Sequence, residues 1–352
     1  MQTRVCFVYP WATFGGVERV FINRALAFKY YLPQVHVDLY FLHDAGGLHC
    51  LIAALAEYDL NETASVVYSL DAEYDLVFLI DCPQAIELCT QKKQRYVMEC
   101  HTPYADNRRY LAHLPTACER VITPSSVFSR LIGSEYSELK NKIRELRNFV
   151  PWDINYTTAP LGNFLPPWTR KPILFFGRLD NLKDPVSLLD AFKLLNNRRP
   201  NEFMLILCGP KTPDIDINTE IKNRVLEGMT VVLPPIPFAS ANDLLSSVAH
   251  LGGVFVSPSK GESFGLSAAE AISALLPVVL SDIEPHLELV KEDHAIFSYP
   301  LGNTKQLSLC IESIFENYSN ACQRVNLLRG AFSANAFVED WKHLCSELGI
   351  VI

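Results

Sequence analysis

Short apolar runs, many of them β-branched, recur along this chain with longer helix-period segments between them, and this alternation limits the fold more than any other feature. In the first half the runs are Arg4–Tyr9, Val35–Leu42, Ala64–Tyr68, Leu76–Asp81, Arg95–Cys100 and Arg120–Thr123. Segments such as Val17–Phe28 and Pro83–Cys89 carry a helical period between them. Runs that are apolar on both faces need cover on both sides, so strands alternating with helices predict a parallel sheet packed between two helical layers. The pattern stops across residues 151–170, where Pro151, Pro160, Pro166 and Pro167 interrupt any period, and this stretch reads as an interdomain linker. Alternation then resumes with strands expected at Pro172–Gly177, Phe203–Cys208, Thr230–Leu233, Gly253–Ser257, Pro277–Ser281 and Ala295–Tyr299. Helices fit Pro185–Asn196, Ile217–Glu227, Ala241–His250, Ser267–Leu275 and Thr304–Phe315. A last helix sets Phe337, Val338, Trp341, Leu344, Cys345 and Leu348 on one face, which needs a partner surface from either half.

The expectation is therefore α/β with two doubly wound, Rossmann-like domains whose strand ends face a common cleft. At 352 residues the chain is two to three times the ~100–150-residue mode of a single domain, which agrees. The formal charge of −8 disfavours a general nucleic-acid coat, so no nucleic-acid partner is expected. Ten scattered cysteines without a Cys-x-x-Cys pair read as reduced, buried thiols. The chain enters a strand at once, without a basic-then-apolar leader, and holds no run of about 20 apolar residues. A cytoplasmic protein is expected.

Three segments can carry chemistry. In VFVSPSKGESFGLSAAEAISALLPVVLSD, a strand runs into a loop bearing Glu262, and a helix then carries Glu270. Gly265 allows close backbone approach, and Ser267 is a plausible N-cap. Free N–H groups at that helix start attract anions, while the carboxylates suit sugar hydroxyls; a helix merely capped by acidic residues is the plainer alternative. In ILFFGRLDNLKD the strand ends at Gly177 and delivers Arg178, with Lys183 before the next helix. Two cations at one strand end suit a diphosphate, and a solvated loop salt-bridged to Asp180 or Asp184 is the alternative. In YPWATFGGVERV the first strand breaks at Gly15 and Gly16, a close-approach loop or simply a tight turn. Neither GxGxxG nor a P-loop occurs, which removes support for nicotinamide cofactors and ATP hydrolysis.

Taken together, these segments resemble the retaining glycosyltransferases of the GT-B fold, family 4 (glycosyl transferases group 1). The resemblance spans nearly the whole chain. Glu262 and Glu270 match the family's E-x7-E pair, Gly177-Arg178-Leu179 with Lys183 its basic phosphate pair, and Phe14-Gly15-Gly16-Val17-Glu18-Arg19 its N-terminal glycine loop. The resemblance implies an acceptor-side domain of residues 1–150 plus 336–352, the final helix crossing back to it, and a donor-binding domain of residues 171–335. It implies a hexosyltransferase (EC 2.4) that moves a sugar from a nucleotide-diphosphate sugar to a sugar or lipid-linked glycan acceptor, in surface polysaccharide or glycoconjugate synthesis.

Carried over by position, Arg178 and Lys183 would neutralise the diphosphate and Glu270 would hold the ribose. Glu262 would meet sugar hydroxyls, with the amides of Phe264, Gly265 and Leu266 near sugar and phosphate. Gly15 and Gly16 would admit diphosphate or acceptor. His101, just past the strand RYVMEC, would hydrogen-bond the transferred sugar, a packed loop histidine being the alternative. No cofactor and no metal are implied, because cations and amides cover the diphosphate. Asp214-Ile215-Asp216 resembles a metal-binding DxD but reads here as a helix cap. Arg108, Arg109, Lys140, Lys142, Arg144 and Arg147 form either a solvated face or ground for an acidic acceptor or the inner membrane surface, in which case the enzyme sits peripherally there. Leu275-Leu276 stand where the family has small residues, and SDIEPHLELV lacks its usual glycines. Other enzymes of the same fold (a nucleotide-sugar epimerase or a phosphorylase) and a non-catalytic sugar-nucleotide binder are the competing readings.

Overall fold

The computed structural model describes residues 2–13, 15–154, 165 and 169–352. Most of the linker expected over 151–170 and Phe14 of the glycine loop therefore lie outside the described residues. The chain divides into two compact units, one formed by Met1–Tyr156 with Ser333–Ile352 and the other by Thr157–Phe332.

The first unit holds seven parallel strands: β1 (Thr3–Ala12), β2 (Val35–Asp44), β3 (Ala64–Val67), β4 (Leu76–Ile80), β5 (Tyr96–Glu99), β6 (Val121–Thr123) and β7 (Ile143–Glu145). Their order is β3-β2-β1-β4-β5-β6-β7. Central β4 is buried along its whole length, as the unbroken run LVFLI requires. The order reverses between β1 and β4, the switch point outside which open α/β sheets hold their ligands. β7 went unanticipated because its sequence IRE is three residues long, with charges on both sides of the pleat.

The helix Ala334–Leu348 packs on this unit. Trp341 is fully buried, its ring 4.7 Å from Phe28 and 5.4 Å from Phe78, and Phe337 stacks on Phe149 at 4.9 Å. Glu347 takes Arg120 and Arg144, and Asp340 takes Arg147. The amphipathic stripe thus finds its partner in the unit built from the chain's beginning.

The second unit carries six parallel strands: β8 (Lys171–Phe176), β9 (Phe203–Cys208), β10 (Thr230–Leu233), β11 (Val254–Ser257), β12 (Val278–Ser281) and β13 (Ser298–Tyr299). The order is β10-β9-β8-β11-β12-β13, with its switch point between β8 and β11. The strand expected over Ala295–Tyr299 is corrected: His294–Phe297 form a helical turn and only Ser298–Tyr299 pair with β12. The helix expected over Ile217–Glu227 stops at Asn223, and Val225 then turns to φ +59°. All ten cysteines are free. Among the described residues no helix is long and apolar enough to cross a membrane.

Candidate active site

In the second unit, strands β8 and β11 deliver their loops side by side. Asp180 organises the first loop: its buried carboxylate accepts from Arg178 Nε at 2.7 Å and from the Lys183 amide at 2.8 Å. One side chain therefore sets both cations, which is also the salt bridge offered as the plainer reading of this loop. The second loop is tied to the first by Lys260, whose amide donates to the Leu182 carbonyl at 2.8 Å and whose ammonium reaches Asp184 at 3.1 Å. Across these loops Lys183 Nζ donates to Glu262 Oε1 at 2.5 Å, and Ser259 Oγ donates to the same oxygen at 2.8 Å. The structure thus brings Lys183 and Glu262 into contact, with Arg178 on the same loop, half-exposed.

Burial alone would push the Glu262 carboxyl up, but the Lys183 ammonium and the Ser259 hydroxyl hold it below its ordinary range. Burial pushes the His286 imidazole down to about 4, against the pull of Glu262. Its Nδ1 lies 3.1 Å from the Ser281 carbonyl, a partner that only an N–H satisfies, so the neutral ring donates there.

The helix Leu266–Ser273 begins beside Glu262. Its N-cap position is Gly265 rather than Ser267, at φ +90°, and no side chain caps it. Its first amides have no intrahelical acceptor and are suited to an anion. A Cβ on Gly265 would come 3.1 Å from Leu289 and 3.3 Å from His286, so packing as well as backbone angle demands glycine. Glu270 is buried on this helix. Just beyond, Leu275 takes φ +61°, the left-handed conformation that a glycine adopts at no steric cost. Where glycines are missing after Ser281, Pro285 opens the helix Glu284–Val290, which carries His286. A second close approach was missed: a Cβ on Gly209 would lie 2.0 Å from the Gly177 carbonyl oxygen, so the ends of β8 and β9 meet backbone to backbone. The Cys-Gly-Pro step after an apolar strand was its only sequence signal.

In the first unit, Gly15 caps the helix Gly16–Tyr31. The Glu18 carboxylate folds back and accepts from the Thr13 amide at 2.5 Å and the Gly15 amide at 3.2 Å. The Gly15 amide is thus engaged by the protein itself. His101 follows β5, largely buried; its amide donates to Asp81 at 3.0 Å and its Nε2 lies 2.6 Å from Glu99. The sequence reading missed Glu99, and with it Arg24.

The basic positions of this unit are mostly engaged internally. Arg108 is buried on Glu135, Arg109 pairs with Asp106, Lys142 donates to the carbonyls of Thr116 and Cys118, and Arg144 and Arg147 hold the final helix. Asp216 is a helix cap, accepting from the amides of Asn218 at 3.2 Å and Thr219 at 3.3 Å. Among the described residues no three His, Cys, Asp or Glu side chains converge as metal ligands.

Residues 164–327 match the family described as glycosyl transferases group 1. The chain is 32% identical over 171 residues to a D-inositol 3-phosphate glycosyltransferase of Pseudarthrobacter chlorophenolicus, covering 44% of this chain and 40% of that enzyme. It is 25% identical over 175 residues to a GDP-mannose:cellobiosyl-diphosphopolyprenol alpha-mannosyltransferase of Xanthomonas oryzae, covering 49% and 44%. The match thus spans less than half the length of these curated relatives. Among solved structures, HepE of Anabaena in complex with UDP and glucose superposes with a TM-score of 0.74 at 16% identity, covering 99% of this chain and 100% of that one. That likeness shows the fold, the two-sheet α/β architecture of the GT-B glycosyltransferases.

Proposed function

We propose, from a second unit that belongs to the glycosyl transferases group 1, that this chain is a retaining hexosyltransferase acting on a nucleotide-diphosphate sugar. The acceptor is a sugar or lipid-linked glycan, and the product is a surface polysaccharide or glycoconjugate; the diphosphopolyprenol acceptor in one relative's name supports this class. The observation that carries the reading is the Lys183–Glu262 contact at a switch point, with Arg178 alongside and an uncapped helix start at Gly265. Cation, carboxylate and open amides are the three groups that a sugar diphosphate needs.

In this reading Arg178 and Lys183 neutralise the diphosphate and the charge that grows on it as the C1–O bond breaks. Fixed charges aimed at developing charge contribute several kcal/mol in a site that excludes water. Glu262 binds donor-sugar hydroxyls, Glu270 the ribose hydroxyls, and the amides of Phe264, Gly265 and Leu266 line sugar and phosphate. Gly16, with Gly15 engaged by Glu18, leaves room for diphosphate or acceptor. His101 hydrogen-bonds the transferred sugar. The acceptor hydroxyl attacks C1 on the face the leaving group departs from, and its proton passes to the leaving phosphate oxygen. The two cations and the amides do the work a metal does elsewhere, and none is required. The site works in the cytoplasm, where nucleotide sugars are at hand.

The test is transfer and donor hydrolysis across UDP-, GDP- and ADP-hexoses, with and without a chelator, the product anomer being read by proton NMR. One donor should turn over with its anomeric configuration kept and its rate indifferent to the chelator. Inverted product, chelator-sensitive turnover, or full activity in Glu262→Ala would overturn the assignment.

A further inference from the structure

Glu99 closes strand β5 and Arg24 sits midway along the helix Gly16–Tyr31, and both side chains are buried, at 0% and 1% exposure. Arg24 grips the carboxylate with two nitrogens, Nη1 to Oε2 at 3.0 Å and Nη2 to Oε1 at 2.5 Å. Its guanidinium lies 5.4 Å from the Phe7 ring centre and 5.6 Å from that of Phe337, so it is walled by aromatics. Burial by itself would push the Glu99 carboxyl up, yet the Arg24 guanidinium, with the hydrogen bond from His101, brings it down to about 2. An ionised carboxylate only accepts hydrogen bonds. The same Oε1 that Arg24 holds also lies 2.6 Å from His101 Nε2, so that ring nitrogen must carry the hydrogen. In a neutral imidazole the other nitrogen, Nδ1, then keeps its lone pair. The His101 backbone is fixed as well, its amide held by Asp81, which Tyr110 holds in turn at 2.9 Å.

We infer that Glu99 is a positioning residue that locks His101 in the Nε2–H tautomer, leaving Nδ1 as the acceptor for a hydroxyl of the donor sugar, with Arg24 as the counter-ion that secures Glu99. The inference rests on the reading that His101 meets the transferred sugar. Two ionised groups buried between a helix and a strand are costly to bring out of water, and aliphatic side chains would fill the same space at no such cost. The contact that aliphatic groups could not replace is the one to the imidazole. The lock also gives His101 a polarity: Nδ1 accepts and does not donate, so it favours a sugar position bearing a hydroxyl over one bearing a fluorine or no substituent.

The decisive measurement is ring NMR on the uniformly 15N-labelled full chain without ligand, the His101 signals being assigned with His101→Asn. The expected result is a single Nε2–H tautomer at neutral pH, with Nδ1 in the unprotonated shift range. An Nδ1–H tautomer, averaging between the two, or an imidazolium with both nitrogens protonated overturns the lock. In Glu99→Gln the tautomers should mix and kcat should fall about 10–100-fold, as for other partners that orient a ligating histidine, while KM for the donor stays nearly constant. A purely structural Glu99 would lower the melting temperature and leave tautomer and kcat/KM ratio alone, which also overturns the inference. Should Glu99→Gln not fold, the wild-type spectrum still decides the lock. If no nucleotide sugar turns over at all, the functional reading fails, while the tautomer, measured without substrate, is judged separately.

Discussion

Each unit contains a cation paired with a carboxylate after or within its central strands, and the two pairs are built oppositely. Arg24–Glu99 is sealed, at 1% and 0% exposure, and joins a helix to a strand. Lys183–Glu262 is reached by solvent, at 23% and 11%, and joins two loops. Arginine makes a rigid two-pronged contact, whereas lysine is a point charge on a flexible stem that can exchange one oxygen for another. The first pair is thus a fixture that orients what stands next to it. On the proposed reading the second is a pair that a phosphate can enter, Lys183 exchanging Glu262 for it.

The largest expected effect tests the sealed pair. Arg24→Ala leaves Glu99 charged in the core and should cost about 3–5 kcal/mol in denaturant unfolding, whereas Arg24→Met with Glu99→Leu should recover most of that loss. A loss below about 1 kcal/mol for Arg24→Ala would erase the distinction between the pairs. Next comes the open pair: Lys183→Ala should change stability by about 1 kcal/mol or less but lower kcat about 100–1000-fold, read from steady-state transfer rates. A thermal-shift series with nucleoside diphosphates should show a matching loss of stabilisation by ligand.

Acid acts on buried groups of both units. The unfolded chain protonates His286 near 6.5 but the folded one only near 4, so unfolded chains bind more protons between those values and stability falls as pH drops through that window. Glu99, depressed from 4.5 to about 2, stabilises the fold fully above 4.5, and that contribution is lost between about 4.5 and 2. His286→Gln should therefore flatten the slope of melting temperature against pH between 7 and 4.5. An unchanged slope would assign it to other groups. The smallest effect is expected at Asp216→Ala, which removes only a surface cap: a slight drop in melting temperature with transfer activity unchanged, even with manganese added. Lost activity there would revive the DxD reading.

Most strands were legible because apolar runs such as LVFLI and FMLILC leave a chain few choices. The exceptions are instructive. Ala295–Phe297 is apolar enough for a strand, but its three residues complete a turn on His294, whose carbonyl accepts from Ser298 Oγ at 2.6 Å. The open pair was half legible, since Glu262 and Lys183 each follow a strand, although nothing along the chain says that they touch. The sealed pair did leave a trace. Arg24 interrupts the apolar stripe Val20, Phe21, Ala25 and Phe28, and Glu99 interrupts the run YVMEC. Two ionisable residues in apolar company ask for each other, yet a separation of 75 positions hides the match until the fold supplies it.

The return of the helix Ala334–Leu348 to the first unit also orders events during synthesis. Trp341 and Phe337 complete the aromatic cluster around Phe28, Phe78 and Phe149, so that core stays open until the ribosome has passed residue 348. The second unit is one uninterrupted stretch and its sheet is complete once Tyr299 has emerged. The half translated second is therefore the half that can close first, and the half translated first must wait with its apolar faces uncovered, the period in which a nascent chain most needs a chaperone.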